Sequence, residues 1–101
     1  MARAQIPNVA PAEIEAICKR HHVAELALFG SRAVGRARDD SDVDLLVAFE
    51  PGALVTFMTL GRIQAELEDL LGLPVDLVPR DGLKALIRDD VLASAQVLYA
   101  A

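Results

Sequence analysis

A chain of 101 residues has room for one domain, which would bury roughly 60–70% of the surface its unfolded form exposes. Its hydrophobic content of 53% is aliphatic, with 4% aromatic residues and no Trp, an aliphatic core composition rather than a stacking platform. Ten Lys plus Arg against fifteen Asp plus Glu leave a net charge of -5, which argues against a sequence-independent grip on nucleic-acid phosphates.

The lone cysteine, Cys18, rules out an intrachain disulfide and fits a reducing compartment, so a cytoplasmic protein is expected. Polar residues and prolines break up the first eleven positions, so no signal peptide or membrane span is expected there. Residues 1–10 read as a flexible arm and 11–101 as the domain.

Pro11 is placed to open a helix that runs to about residue 22, with Ile14, Ile17 and Cys18 on its apolar stripe. The run Glu25 to Phe29 has strand length and stops at Gly30. An Arg-, Gly- and Asp-rich loop follows, and then VDLLVAF (43–49) reads as a buried strand closed by Pro51 and Gly52.

From Leu54 to Leu71 apolar residues recur at helical spacing, including Leu54, Phe57, Met58, Ile63, Leu67 and Leu71. That stripe predicts a long helix with Gly72 just past its end; its early members Phe57 and Met58 suit either a core or a partner surface. Val75 to Val78 forms a third strand, Leu83 to about Ala93 a third helix with Leu83, Leu86, Ile87 and Val91 on one face, and Gln96 to Tyr99 a short last strand. The fold class expected is α/β (α+β): a three- to four-stranded mixed sheet packed with helices.

Strand alternation puts Asp42, Asp44, Leu46 and Ala48 on one side of the second strand and Val43, Leu45, Val47 and Phe49 on the other. The two acids would stand roughly 7 Å apart, and Asp76 interrupts an otherwise apolar strand that can place it beside them. Like charges about 4 Å apart repel by roughly 4 kcal/mol at an effective dielectric of 20, so convergence implies a cation. Oxygen-only ligands select a hard ion such as magnesium, which shares its sphere with phosphates.

Gly30-Ser31 directly after the first strand lets backbone amides and a hydroxyl approach an anion, and Arg32, Arg36 and Arg38 cluster close by in sequence. His21 and His22 fall at a helix C-terminus, where capping accounts for them. Cys18 and Tyr99 read as packing residues.

The segment GSRAVGRARDDSDVDLLV resembles the signature of the DNA polymerase β nucleotidyltransferase superfamily: Gly-Ser, ten residues, then Asp-x-Asp. With the later PVDLV strand, residues 12–100 are similar to the minimal nucleotidyltransferases paired with HEPN-domain proteins in prokaryotic toxin–antitoxin systems. That resemblance implies that Gly30, Ser31 and Arg32 meet the triphosphate of ATP and that Asp42, Asp44 and Asp76 hold two magnesium ions. It also implies transfer of AMP to a tyrosine hydroxyl of a cognate HEPN toxin, which silences the toxin. Val34 departs from the subgroup, where an Arg is common, and Arg36 is the residue placed to compensate. Two other readings are an antitoxin that works by occlusion alone and a transferase for a small-molecule acceptor, the latter disfavoured by the short chain.

Overall fold

The computed structural model describes residues 10–36, 38, 42–83 and 85–101. The expected arm at 1–9, the loop positions 37 and 39–41 and the side chains of Leu86 and Ile87 lie outside the described residues.

Helix α1 (Pro11–Arg20) opens on a proline, whose missing N–H costs nothing in a first turn, and buries Ile14, Ile17 and Cys18. It ends two residues short of the predicted end. The chain turns through His22, at φ +58, into β1 (Val23–Phe29), which starts two residues earlier than expected. His21 is the C-cap residue of α1, and its side chain meets the Glu66 carboxylate and so also joins α1 to the next helix. Partial burial, followed by the neighbouring Arg20 and Arg62, holds its imidazole below the usual range.

Strand β2 (Val43–Phe49) pairs antiparallel with β1, and helix α2 (Phe57–Leu71) then crosses over to β3 (Val75–Pro79), which pairs parallel with β2. Helix α3 (Ala85–Ser94) leads into β4 (Gln96–Ala100), antiparallel to β1, and the mixed sheet is ordered β3-β2-β1-β4.

Helix α2 begins three residues later than its apolar stripe predicts. Thr56 takes an extended conformation and its hydroxyl accepts from the Thr59 amide, while Thr59 accepts in return from the Thr56 amide. That reciprocal cap is worth about 1 kcal/mol and leaves Leu54 and Val55 outside the helix. At its other end Gly72, at φ +70, donates to the Glu68 carbonyl in the left-handed conformation that glycine adopts at least cost.

The helix buries Ile63, Leu67 and Leu71, each contributing about 1.5–3 kcal/mol, but its first turn is bare. Phe57 is 94% exposed, Leu54 88% and Met58 is also exposed, so the early part of the stripe is surface and not core.

The sheet is covered unequally. On one face Val43, Leu45 and Val47 pack with Leu26 and Leu28 against α1 and α2, forming the main core; Cys18 is inside it and Tyr99 lies against it, as packing residues. Burial pushes the Cys18 thiol up to about 11, far from a reactive thiolate. The opposite face, the one that begins with the two acids, carries a second, smaller core of Ala27, Leu46 and Leu83 with Phe29, Val78, Val91, Leu92 and Ala95 against it. Helix α3 is what covers that face, a neighbour that strand alternation alone does not reveal. The described residues include no helix long and apolar enough to cross a membrane.

Candidate active site

The site grows from the sheet register. In the parallel pair Asp44 lies directly beside Asp76, and in the antiparallel pair it lies beside Phe29, the residue before Gly30. Adjacent partners in a sheet point to the same side about 5 Å apart, so both carboxylates leave the face that carries Leu46. The Val43 amide donates to the Pro74 carbonyl at 2.9 Å, which extends this alignment one step beyond the strand toward Asp42. Asp42 is thus just outside β2 and not within it, a small shift from the sequence expectation.

What aligns β3 was not visible in the pattern: the Glu68 carboxylate of α2 accepts from the Val75 amide at 2.9 Å, fixing the strand that bears Asp76. Glu68 had read only as part of the helix's polar side.

Asp44 is half-buried while Asp42 and Asp76 are exposed. Burial first, then the charges of Asp76 and Asp42, raise the Asp44 carboxyl above the usual carboxylate range. The charges of Asp42 and Asp76 are thus felt at Asp44. Among the described residues no three acidic, imidazole or thiol groups are already closed around one point. The acids face one another without forming a finished cage.

Gly30 presses against this cluster. Its φ is +75, and a Cβ built on it would overlap the Asp44 Oδ2 atom and stand 3.2 Å from the Asp44 Cγ. The glycine therefore serves two needs at once, a left-handed turn and direct backbone contact with a carboxylate. Residues Gly30 to Arg32 form one turn of 3-10 helix, closed by the Ala33 amide on the Gly30 carbonyl at 3.1 Å, and the Arg36 amide reaches the Ser31 carbonyl at 2.9 Å. Ser31 thus sits in the turn whose Gly30 adjoins Asp44.

Arg32, on the same turn, is only 6% exposed, and its guanidinium donates to the Arg38 carbonyl at 3.3 Å. Arg36 and Arg38 are exposed near the same turn. A cavity of about 130 Å³ lies elsewhere, under α3 between Ala27, Ala48 and Ala95.

Oxygen donors alone, gathered beside a glycine-lined turn, fit magnesium and a phosphate chain, with Asp42, Asp44 and Asp76 as the residues to hold the ion.

The family description "Nucleotidyltransferase domain" matches residues 12–98. The chain belongs to the nucleotidyltransferase family. It is 42% identical to the protein adenylyltransferase MntA of Thermococcus cleftensis over 95 residues, covering 94% of this chain and 92% of that protein. The fold is shared with a toxin–antitoxin crystal structure containing AMP-PNP, at TM-score 0.73 and 19% identity over 92% of this chain and 75% of that one. It is shared too with the complex of a tri-AMPylated Shewanella oneidensis HEPN toxin and its MNT antitoxin, at TM-score 0.65 and 17% identity, covering 90% of this chain and 70% of that one. As a nucleotidyltransferase, the chain has its signature acids on the β2–β3 edge of the sheet and its Gly-Ser turn against them.

Proposed function

We propose that this chain is a cytoplasmic antitoxin that transfers AMP from ATP to a tyrosine hydroxyl of a cognate HEPN toxin, using two magnesium ions held by Asp42, Asp44 and Asp76. The observation that carries the reading is the side-by-side register of Asp44 and Asp76 under mutual repulsion, with Gly30 against them. The resemblance to an adenylyltransferase along nearly its whole length supports AMP as the transferred group.

Bound at the three acids, magnesium supplies charge neutralisation for the triphosphate and a lower pKa for the incoming hydroxyl. The chain's own residues supply position. Asp44 and Asp76, on paired strands, fix the direction from which the α-phosphate is approached, and Asp42 extends the carboxylate surface outward. The Ser31 hydroxyl and the backbone amides of the Gly30–Arg32 turn hold the phosphate tail, so that pyrophosphate leaves along the turn. Exposed Arg36 and Arg38 are placed to draw off its charge, whereas Arg32 supports the turn from behind.

The site is an open end of a sheet, so the acceptor must close it, and a protein acceptor brings its own walls. The exposed Leu54, Phe57 and Met58 give such a partner an apolar surface. The same segment also favours a second reading, occlusion of the toxin by binding alone.

Incubating the chain with the product of an adjacent HEPN reading frame, ATP and magnesium, then weighing the partner, separates the two. A gain of whole adenylyl units that is lost with Asp44→Asn supports transfer. An unchanged mass within a stable complex points to occlusion.

A further inference from the structure

Gln96 is a polar residue in an apolar position. It opens β4 opposite Leu28 of β1, on the main-core face of the sheet, where its neighbours in register are aliphatic and fully buried. An amide placed there gives up part of its hydration and needs a partner in return. It has one: the side-chain Nε2 donates to the backbone carbonyl of Ala33, 63 residues away in the chain.

Ala33 is the residue that closes the phosphate turn. Its amide bonds back to the Gly30 carbonyl and its side chain is sunk in the main core, so it is held from two directions, and Gln96 secures a third. Directly across that turn, Gly30 touches the Asp44 carboxylate. The turn is therefore clamped between a catalytic-type acid on one side and the last strand of the chain on the other.

We propose that Gln96 is a positioning residue for nucleotide binding: by donating to Ala33 it sets the tilt of the Gly30–Arg32 turn, and so the aim of the amides and hydroxyl that receive the triphosphate. This rests on the nucleotidyltransferase reading of the turn given above. Ala33 is anchored at its amide by Gly30 and at its carbonyl by Gln96, so both peptide groups that close the turn are held. Loss of the donor lets the peptide rotate, and small errors of aim cost much where several short hydrogen bonds must form together.

The test is titration of the full chain with ATP in the presence of magnesium, read beside thermal unfolding. Gln96→Leu, which suits the apolar surroundings, is expected to keep its Tm close to wild type while ATP affinity falls about tenfold. A side chain that serves packing alone would give the reverse, an altered Tm with unchanged affinity, and would overturn the proposal. Gln96→Glu keeps the shape and swaps the donor for a carboxylate, which can donate only when protonated. Its affinity relative to wild type at the same pH should rise as pH falls from about 8 to about 5; a ratio that stays flat counts against the proposal. Wild-type protein that binds no ATP would remove the nucleotide reading itself, whereas normal wild-type binding with an equally tight Gln96→Leu removes only the role of Gln96.

Discussion

The two faces of the sheet solve opposite problems. One is a continuous aliphatic layer, Val43, Leu45 and Val47 under α1 and α2, in which every side chain gains by leaving water. The other carries three acids at one end of the β2 and β3 strands and a thin core under α3, beside a cavity of about 130 Å³. A domain this small, stable by about 5–15 kcal/mol, can tolerate repelling carboxylates only because the opposite layer holds it together. Stability is concentrated on one face so that charge can be concentrated on the other.

The sharpest way to break that contrast is Asp44→Asn. It should reduce nucleotidyl transfer by at least about a hundredfold, measured by label transfer from ATP. The same change should stabilise the metal-free protein. Because the folded-state pKa of Asp44 is raised, its ionised form is disfavoured by folding, a penalty absent below the unfolded value of 3.8 and present once pH rises through the folded value. The variant should therefore have a higher Tm than wild type at pH 7, with the difference closing below about pH 4. Equal Tm values across that range would show that the acids do not strain one another.

The packed face can be tested with Leu45→Ala, where Leu45 is 0% exposed; a loss of about 3–5 kcal/mol in urea unfolding is expected. Leu46→Ala, one residue along and 3% exposed on the thin face, should cost less, about 2–3 kcal/mol, because its surroundings are small and already loosely filled. If the two cost the same, the faces are not mechanically distinct.

Gly30→Ala sits where the faces meet. The new methyl must displace the Asp44 carboxylate and adopt a left-handed conformation, so about 1–2 kcal/mol of stability and at least roughly tenfold of activity should go together. The smallest effect expected is that of Phe57→Ser on folding, within about 0.5 kcal/mol, because that ring is almost wholly in solvent. Weaker capture of the partner by this variant, at unchanged ATP affinity, would identify the apolar turn as a docking surface.

Much of this was legible in the residues. Gly30, Ser31, Asp42 and Asp44 lie within fifteen positions, and alternation along a strand fixes the side to which they point. Asp76 was legible as an acid interrupting an apolar strand, and its facing required only that β3 pair with β2. What could not be read were the features set by distant contacts. Leu54, Phe57 and Met58 fit the helical stripe in spacing yet lie outside the core: the Thr56–Thr59 cap leaves Leu54 before the helix, and the first turn that carries Phe57 and Met58 is exposed. Arg32 clusters in sequence with Arg36 and Arg38, but its burial and its bond to a carbonyl six residues on are set by the fold of the loop. Glu68 and Gln96 resembled ordinary polar positions, since the Val75 amide and the Ala33 carbonyl that engage them are invisible to local pattern. His21 stands at its own helix end as expected, but the reach of its side chain to Glu66 of α2 is another distant contact.

The pairing of β2 with β3 is the sheet's one parallel join among the described strands, and it cannot form until α2 has been made and folded back. During synthesis, a chain that has emerged only through Phe49 carries Gly30, Asp42 and Asp44 but lacks Asp76. The site proposed for the three acids is therefore completed only by the return of the polypeptide to its own second strand.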